Sequence, residues 1–229
     1  MRPRPLSQLI HARIQAGTSD TRIITLHPHN QFAEDVKEIT LGAAPDATIL
    51  GLESYKGVYV GKTITGYTWY VGPYDQPAPL FYGDALAEIE RFLWDEVDRQ
   101  HDAGMGEAAL PVLLGVEQGA VMALGAAAAV PDLLSGVIAI DGMFPIVPGW
   151  DPPLAPLADL PVLLVESPSA RTVRPDVLTG EGLEQTLTAW GARVTRMPVD
   201  DADADHLAAG LRAWLAGQPV RRMARHAGD

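Results

Sequence analysis

The chain has 229 residues, 47% of them hydrophobic and 20% charged, which suits one domain with a substantial core. A formal charge of −12 argues against nucleic acid or an anionic membrane as the main partner. There is no cysteine, which excludes disulfides, thiol catalysis and cysteine-ligated metals.

The opening MRPRPLSQLIHARIQAG carries basic residues but no continuous apolar signal-peptide core. No apolar run is long and clean enough to cross a bilayer, so the expectation is a cytoplasmic protein. Residues 9–16 alternate in polarity and predict a first strand, closed by the turn Gly17-Thr18-Ser19-Asp20. Residues 22–26 (RIITL) predict a β-rich strand, 32–41 a short helix and 47–52 (ATILGL) a buried strand. Residues 54–80 are rich in Gly, Tyr and Pro and read as a long loop or partial cover.

Helical spacing over 81–101 places Leu86, Ile89, Leu93 and Val97 on one core-facing side. Strands follow at 111–114, 136–140, 161–165 and 193–197, and helices at 118–129, 183–190 and 207–215. The whole chain, 1–229, reads as one domain, with 218–229 as a frayed tail. Short apolar strands alternating with helices predict an α/β fold, a mostly parallel central sheet covered by helices on both faces.

Ligands bind beyond the carboxyl ends of the strands in such sheets. The residues just after the predicted strands are His27, Glu53, Glu117, Asp141 and Glu166. Four carboxylates and a histidine on one rim make that rim the place to look for chemistry.

Glu117 is the most informative of them. It lies in Gly115-Val116-Glu117-Gln118-Gly119, between an apolar strand and a small-residue helix. This has the shape of the nucleophile elbow G-x-S-x-G, with a carboxylate in the serine place. The motif order around it resembles the α/β-hydrolase fold, and more narrowly the small phospholipase/carboxylesterase group of serine hydrolases, over residues 9–216. The matching stretches are TLHPHNQFAED, GYTWY, GVEQGAVMALGAA, GVIAIDGMFP, LPVLLVESPSARTVRPD and the acidic loop before LAAGLRAWLAG.

The resemblance implies a serine–histidine–acid triad with an oxyanion hole, and this chain departs from that pattern. Glu117 stands at the nucleophile and Ala170 at the acid. The histidine place falls near Asp200 or Asp201, with His206 a few residues later. Pro28, which has no amide to donate, replaces the oxyanion-loop glycine. The amides of His29 and Gln118 are the remaining oxyanion donors, and ordinary acyl-serine ester hydrolysis is unavailable.

Three roles for Glu117 are therefore open. It acts as a nucleophile, with His206 as base and Asp141 as the orienting acid. It acts as a general acid or base among Glu117, Asp141, Glu166 and His27 or His29. Or it is inert, bonded into its own oxyanion hole in a fold kept for binding or scaffolding. The expected ligand is a small neutral organic molecule, with no cofactor. His27-x-His29 gives only a weak metal pattern, and no metal site is assigned. Trp69 in GYTWY is expected to wall the substrate site, and the tyrosines of 54–82 to cap an apolar ligand. Gly61-Lys62-Thr63 lacks the upstream glycine of a phosphate loop, and the DDADAD run lacks the glycine and terminal Glu of a calcium loop.

Overall fold

A computed structural model describes residues 7–168, 177–199 and 204–224. Strand β1 (Ile10–Gln15) and β2 (Arg22–Leu26) lead into a 3-10 turn (Ala33–Val36) and helix α1 (Lys37–Ala43). Then come β3 (Thr48–Glu53), β4 (Gly57–Val60), β5 (Thr63–Tyr67), α2 (Pro79–Asp102), β6 (Glu107–Ala109), β7 (Val112–Val116) and α3 (Gln118–Ala129). The order closes with β8 (Gly136–Ile140), β9 (Pro161–Glu166), α4 (Gly180–Ala189), β10 (Arg193–Pro198), α5 (Ala204–Ala216) and β11 (Arg222–Ala224).

Seven strands form one sheet in the order β1-β3-β2-β7-β8-β9-β10. Only β1 runs antiparallel to its neighbour; the other five pairings are parallel. The central strands β7 (VLLGV) and β8 (GVIAI) are apolar throughout because both faces are covered. Val137, Val162 and Leu164 pack with Ile89 of α2, Val121 of α3 and Leu187 of α4. The alternate residues Ile138, Leu163 and Val165 pack on the other face with Ala43 of α1 and Leu211 of α5.

Two stretches differ from expectation. Residues 54–80 are not simply loop, because β4 and β5 form an antiparallel hairpin in which Val60 pairs with Thr63 across Gly61-Lys62. Gly61 takes φ 65°, a left-handed turn conformation that favours glycine. The tail is not wholly frayed either: β11 pairs with β6, Met223 opposite Ala108, and the Arg222 guanidinium pairs with Asp20. No helix among the described residues is long and apolar enough to cross a membrane.

Helix α3 sits at the centre and is buried along almost its whole length. Its glycines and alanines allow that depth. A Cβ on Gly125 would stand 2.3 Å from the Tyr82 hydroxyl of α2, and one on Gly115 would stand 2.3 Å from the Gly119 carbonyl oxygen. The turn from β7 into α3 therefore needs glycine on both sides of Glu117.

Candidate active site

The end of β7 turns sharply into α3 at Glu117, whose φ of 48° and ψ of −112° are unusual for a residue with a side chain. Its amide donates to the Ile140 carbonyl at 2.8 Å, and its own carbonyl accepts from Val121 at 3.0 Å. These bonds tie the elbow to β8 and to the first turn of α3. The side chain is half-buried at the carboxyl end of the sheet. The first amides of α3 begin here, where a helix has no acceptors of its own for its N–H groups and favours negative charge.

The neighbouring Gln118 is buried and holds the opposite wall. Its Oε1 accepts from the Trp69 amide at 2.8 Å and lies 2.9 Å from Thr68 Oγ1; its Nε2 donates to the Tyr70 carbonyl at 3.2 Å. Thr68 Oγ1 also lies 2.8 Å from the Tyr70 carbonyl and 3.0 Å from His29 Nδ1. A hydroxyl has one proton, which these carbonyl acceptors claim. His29 Nδ1 then donates to Thr68, leaving Nε2 as the acceptor nitrogen of this exposed ring. Thr68 joins the two expected oxyanion residues, a role that no pattern around it announces.

His27 lies behind this wall, fully buried and stacked on Trp69 at 4.9 Å. Its Nε2 accepts from the Ser54 amide at 3.3 Å, so Nδ1 carries the proton and donates to the Pro28 carbonyl at 2.6 Å. Burial lowers its pKa to about 4, which keeps the ring neutral. Both ring nitrogens are committed to backbone, so His27 supports the loop. Trp69 was expected to wall the substrate site, but it too is fully buried, its Nε1 donating to the His27 carbonyl at 2.9 Å. Its bulk supports the loop that follows β2.

Asp141 follows β8 at φ 52° and is half-buried. Its Oδ1 accepts from the Ser167 amide at 2.8 Å and its Oδ2 from the Ser167 hydroxyl at 2.6 Å. Tyr74 donates its hydroxyl to the Asp141 carbonyl at 2.8 Å. Ser167, at the end of β9, is thus a partner that the sequence did not single out. Glu166 turns the other way: Oε2 accepts from Arg196 Nη2 at 2.6 Å and Nε at 3.1 Å, an exposed pair between β9 and β10. The hydrogen bond to Glu166, with its charge, raises the Arg196 pKa. His206 occupies the first turn of α5 and is exposed. The expected acid place at Ala170 and histidine place at Asp200 or Asp201 lie outside the described residues. Among the described residues no three His, Asp or Glu side chains gather as a metal site would require.

The fold is similar to that of a carboxylesterase from Mesorhizobium loti, with a TM-score of 0.73 and 19% identity over 88% of this chain and 90% of that one. The Bacillus cereus carboxylesterase is similar with a TM-score of 0.69 and 16% identity, over 90% of this chain and 95% of that one. A phospholipase/carboxylesterase from Dyadobacter fermentans gives a TM-score of 0.57 and 17% identity, over 88% and 93%. At these identities the likeness is one of fold, and the chain has the α/β-hydrolase fold. No family model and no curated protein matches the sequence.

Proposed function

We propose that this chain hydrolyses a small organic ester with Glu117 as general base, in place of the acyl-serine route. The observation that carries the reading is the backbone of Glu117: a charged residue held at φ 48° in an elbow bracketed by two obligatory glycines. Such strain persists where the surrounding structure imposes it, and it clusters at functional sites. The esterase names of the similar structures support the bond type, and the absence of a serine from the elbow argues against the acyl-serine route.

The steps balance with one carboxylate. Glu117 takes a proton from a water as the water oxygen adds to the ester carbonyl carbon. The carbonyl oxygen becomes an oxyanion, for which the amides of Gln118 and His29 are the donors. The bond to the alcohol oxygen then breaks, and the departing alkoxide recovers the proton from Glu117, leaving acid, alcohol and unchanged enzyme. His206, exposed in the first turn of α5, and Asp141, whose two carboxylate oxygens accept from Ser167, take no step in this route.

A panel of small aryl and alkyl esters tests this. Glu117→Gln should lower kcat/KM by about 100-fold or more while the protein stays folded. Single turnover in heavy-oxygen water separates the two carboxylate routes: general-base attack labels the product acid, whereas a covalent ester at Glu117 labels the protein. The second reading, a fold kept for binding, is favoured by Pro28, which removes one amide from the oxyanion loop. Equal activity in Glu117→Gln and wild type would sink the Glu117 reading, and no turnover by either would favour the binding role.

A further inference from the structure

Lys56 is a cation that the proposed chemistry does not use. It lies three residues beyond the end of β3, in the segment that carries the wall of the site. Its carbonyl accepts from the Thr68 amide at 2.9 Å, and its amide donates to Ser54 Oγ at 3.2 Å. Thr68 is the residue whose side chain lies against Gln118 and His29, and Ser54 is the one whose amide bonds to His27. The backbone of Lys56 is therefore one hydrogen bond from the residue joining both expected oxyanion donors.

The side chain is in an uncommon state. Its Nζ is buried and has no hydrogen-bond partner among the described residues. It lies 3.9 Å from the centre of the Tyr55 ring. A cation–π contact replaces only part of the hydration that a buried ammonium gives up, and buried charges are ordinarily paired. The local sequence supplies no counter-ion, since the chain from Ser54 to Tyr74 contains no Asp or Glu. Glu53, the last residue of β3, accepts from the Ala33 amide of the 3-10 turn at 3.1 Å. In a chain of net charge −12, an anionic ligand needs a local cation to overcome general repulsion.

We propose that the Lys56 ammonium binds a carboxylate on the substrate, so that the substrate is a monocarboxylate ester such as the half-ester of a small dicarboxylic acid. One ammonium balances one negative charge, which fits a carboxylate better than a doubly charged phosphate. This replaces the neutral molecule expected from sequence. The inference rests on the ester reading for the reacting bond, and on Lys56 alone for the anion.

Binding and turnover are measured separately. Succinamate, a carboxylate carrying an amide in place of the ester, is titrated calorimetrically into wild type, Lys56→Met and Lys56→Arg, with butyramide as the uncharged control. Succinamate should bind the wild type, lose at least tenfold in affinity in Lys56→Met and stay within a few-fold in Lys56→Arg; butyramide should bind weakly to all. Monomethyl succinate and methyl butyrate are then compared as substrates, and Lys56→Met should raise KM for the half-ester alone. Thermal unfolding confirms that each variant is folded, and Lys56→Gln replaces any that is not. Absent succinamate binding, equal binding by Lys56→Met, or butyramide binding as tight as succinamate overturns the inference. If Lys56→Met loses succinamate while no ester is turned over by the wild type, the carboxylate site stands and the hydrolytic reading falls. If esters are hydrolysed with no change on Lys56 substitution, the reverse holds.

Discussion

Gly119 lies so close to the end of β2 that a Cβ there would stand 2.1 Å from the Leu26 carbonyl oxygen. The obstacle is backbone, so no side-chain rotation relieves it. Gly119→Ala should therefore separate α3 from β2 and cost about 3 kcal/mol or more, or abolish folding. Urea denaturation measures this. A loss within experimental error would mean that α3 and β2 do not meet as described.

Glu117 itself should be costly to the fold. Glycine tolerates left-handed backbone that a residue with a Cβ resists, so Glu117→Gly is expected to raise stability by about 1 kcal/mol while removing activity. Denaturation and ester assays on one preparation read both effects.

Glu117→Ser tests the departure from the serine mechanism. It places a hydroxyl at the elbow, but Ala170 still stands at the expected acid place and Pro28 in the expected oxyanion loop. No robust hydrolysis of a simple aryl ester should appear. Vigorous turnover by this variant would overturn the mapping of the triad.

His27 should make stability depend on pH. Desolvation lowers its folded-state pKa from the ordinary 6.5 to about 4. The unfolded chain then takes up a proton that the folded chain refuses. This contribution is complete above about pH 6.5 and declines as pH falls toward 4, by about 2–3 kcal/mol at pH 4.5. Comparing denaturation at pH 7.5 and 4.5, His27→Gln should lose less stability than the wild type. An unchanged difference would show that His27 is not buried in its neutral form.

Tyr82 tests packing away from the rim. Its hydroxyl is buried, with no hydrogen-bond partner among the described residues, and burial raises its pKa. Tyr82→Phe removes a desolvated polar group and should be neutral or stabilise by about 1 kcal/mol. A loss above about 2 kcal/mol in thermal or urea unfolding would reveal a partner for that hydroxyl.

Much of this fold was legible from local pattern. The elements at 118–129 and 136–140 appear with the expected bounds, and Ile89, Leu93 and Val97 of α2 are buried as their spacing predicts. The β4–β5 hairpin had a readable signal, β-branched residues on either side of Gly61-Lys62, obscured by the surrounding glycines and prolines. The pairing of β11 with β6 had none. Three-residue strands carry too little periodicity, and their partners lie more than a hundred positions apart.

The sequence by itself determined the sheet and the elbow. Apolar runs must be buried on both faces, and a sharp strand-to-helix turn needs glycines at fixed spacing, whatever the rest of the chain does. Tertiary structure alone decided the duties of the polar residues on the rim. His27 and Trp69 went beneath the loop, Asp141 took Ser167, Glu166 turned to Arg196, and the Lys56 ammonium was buried beside Tyr55. Each of those outcomes depends on which donor, acceptor or ring a distant segment brings within reach, and a polar side chain does not encode its partner in its own neighbourhood.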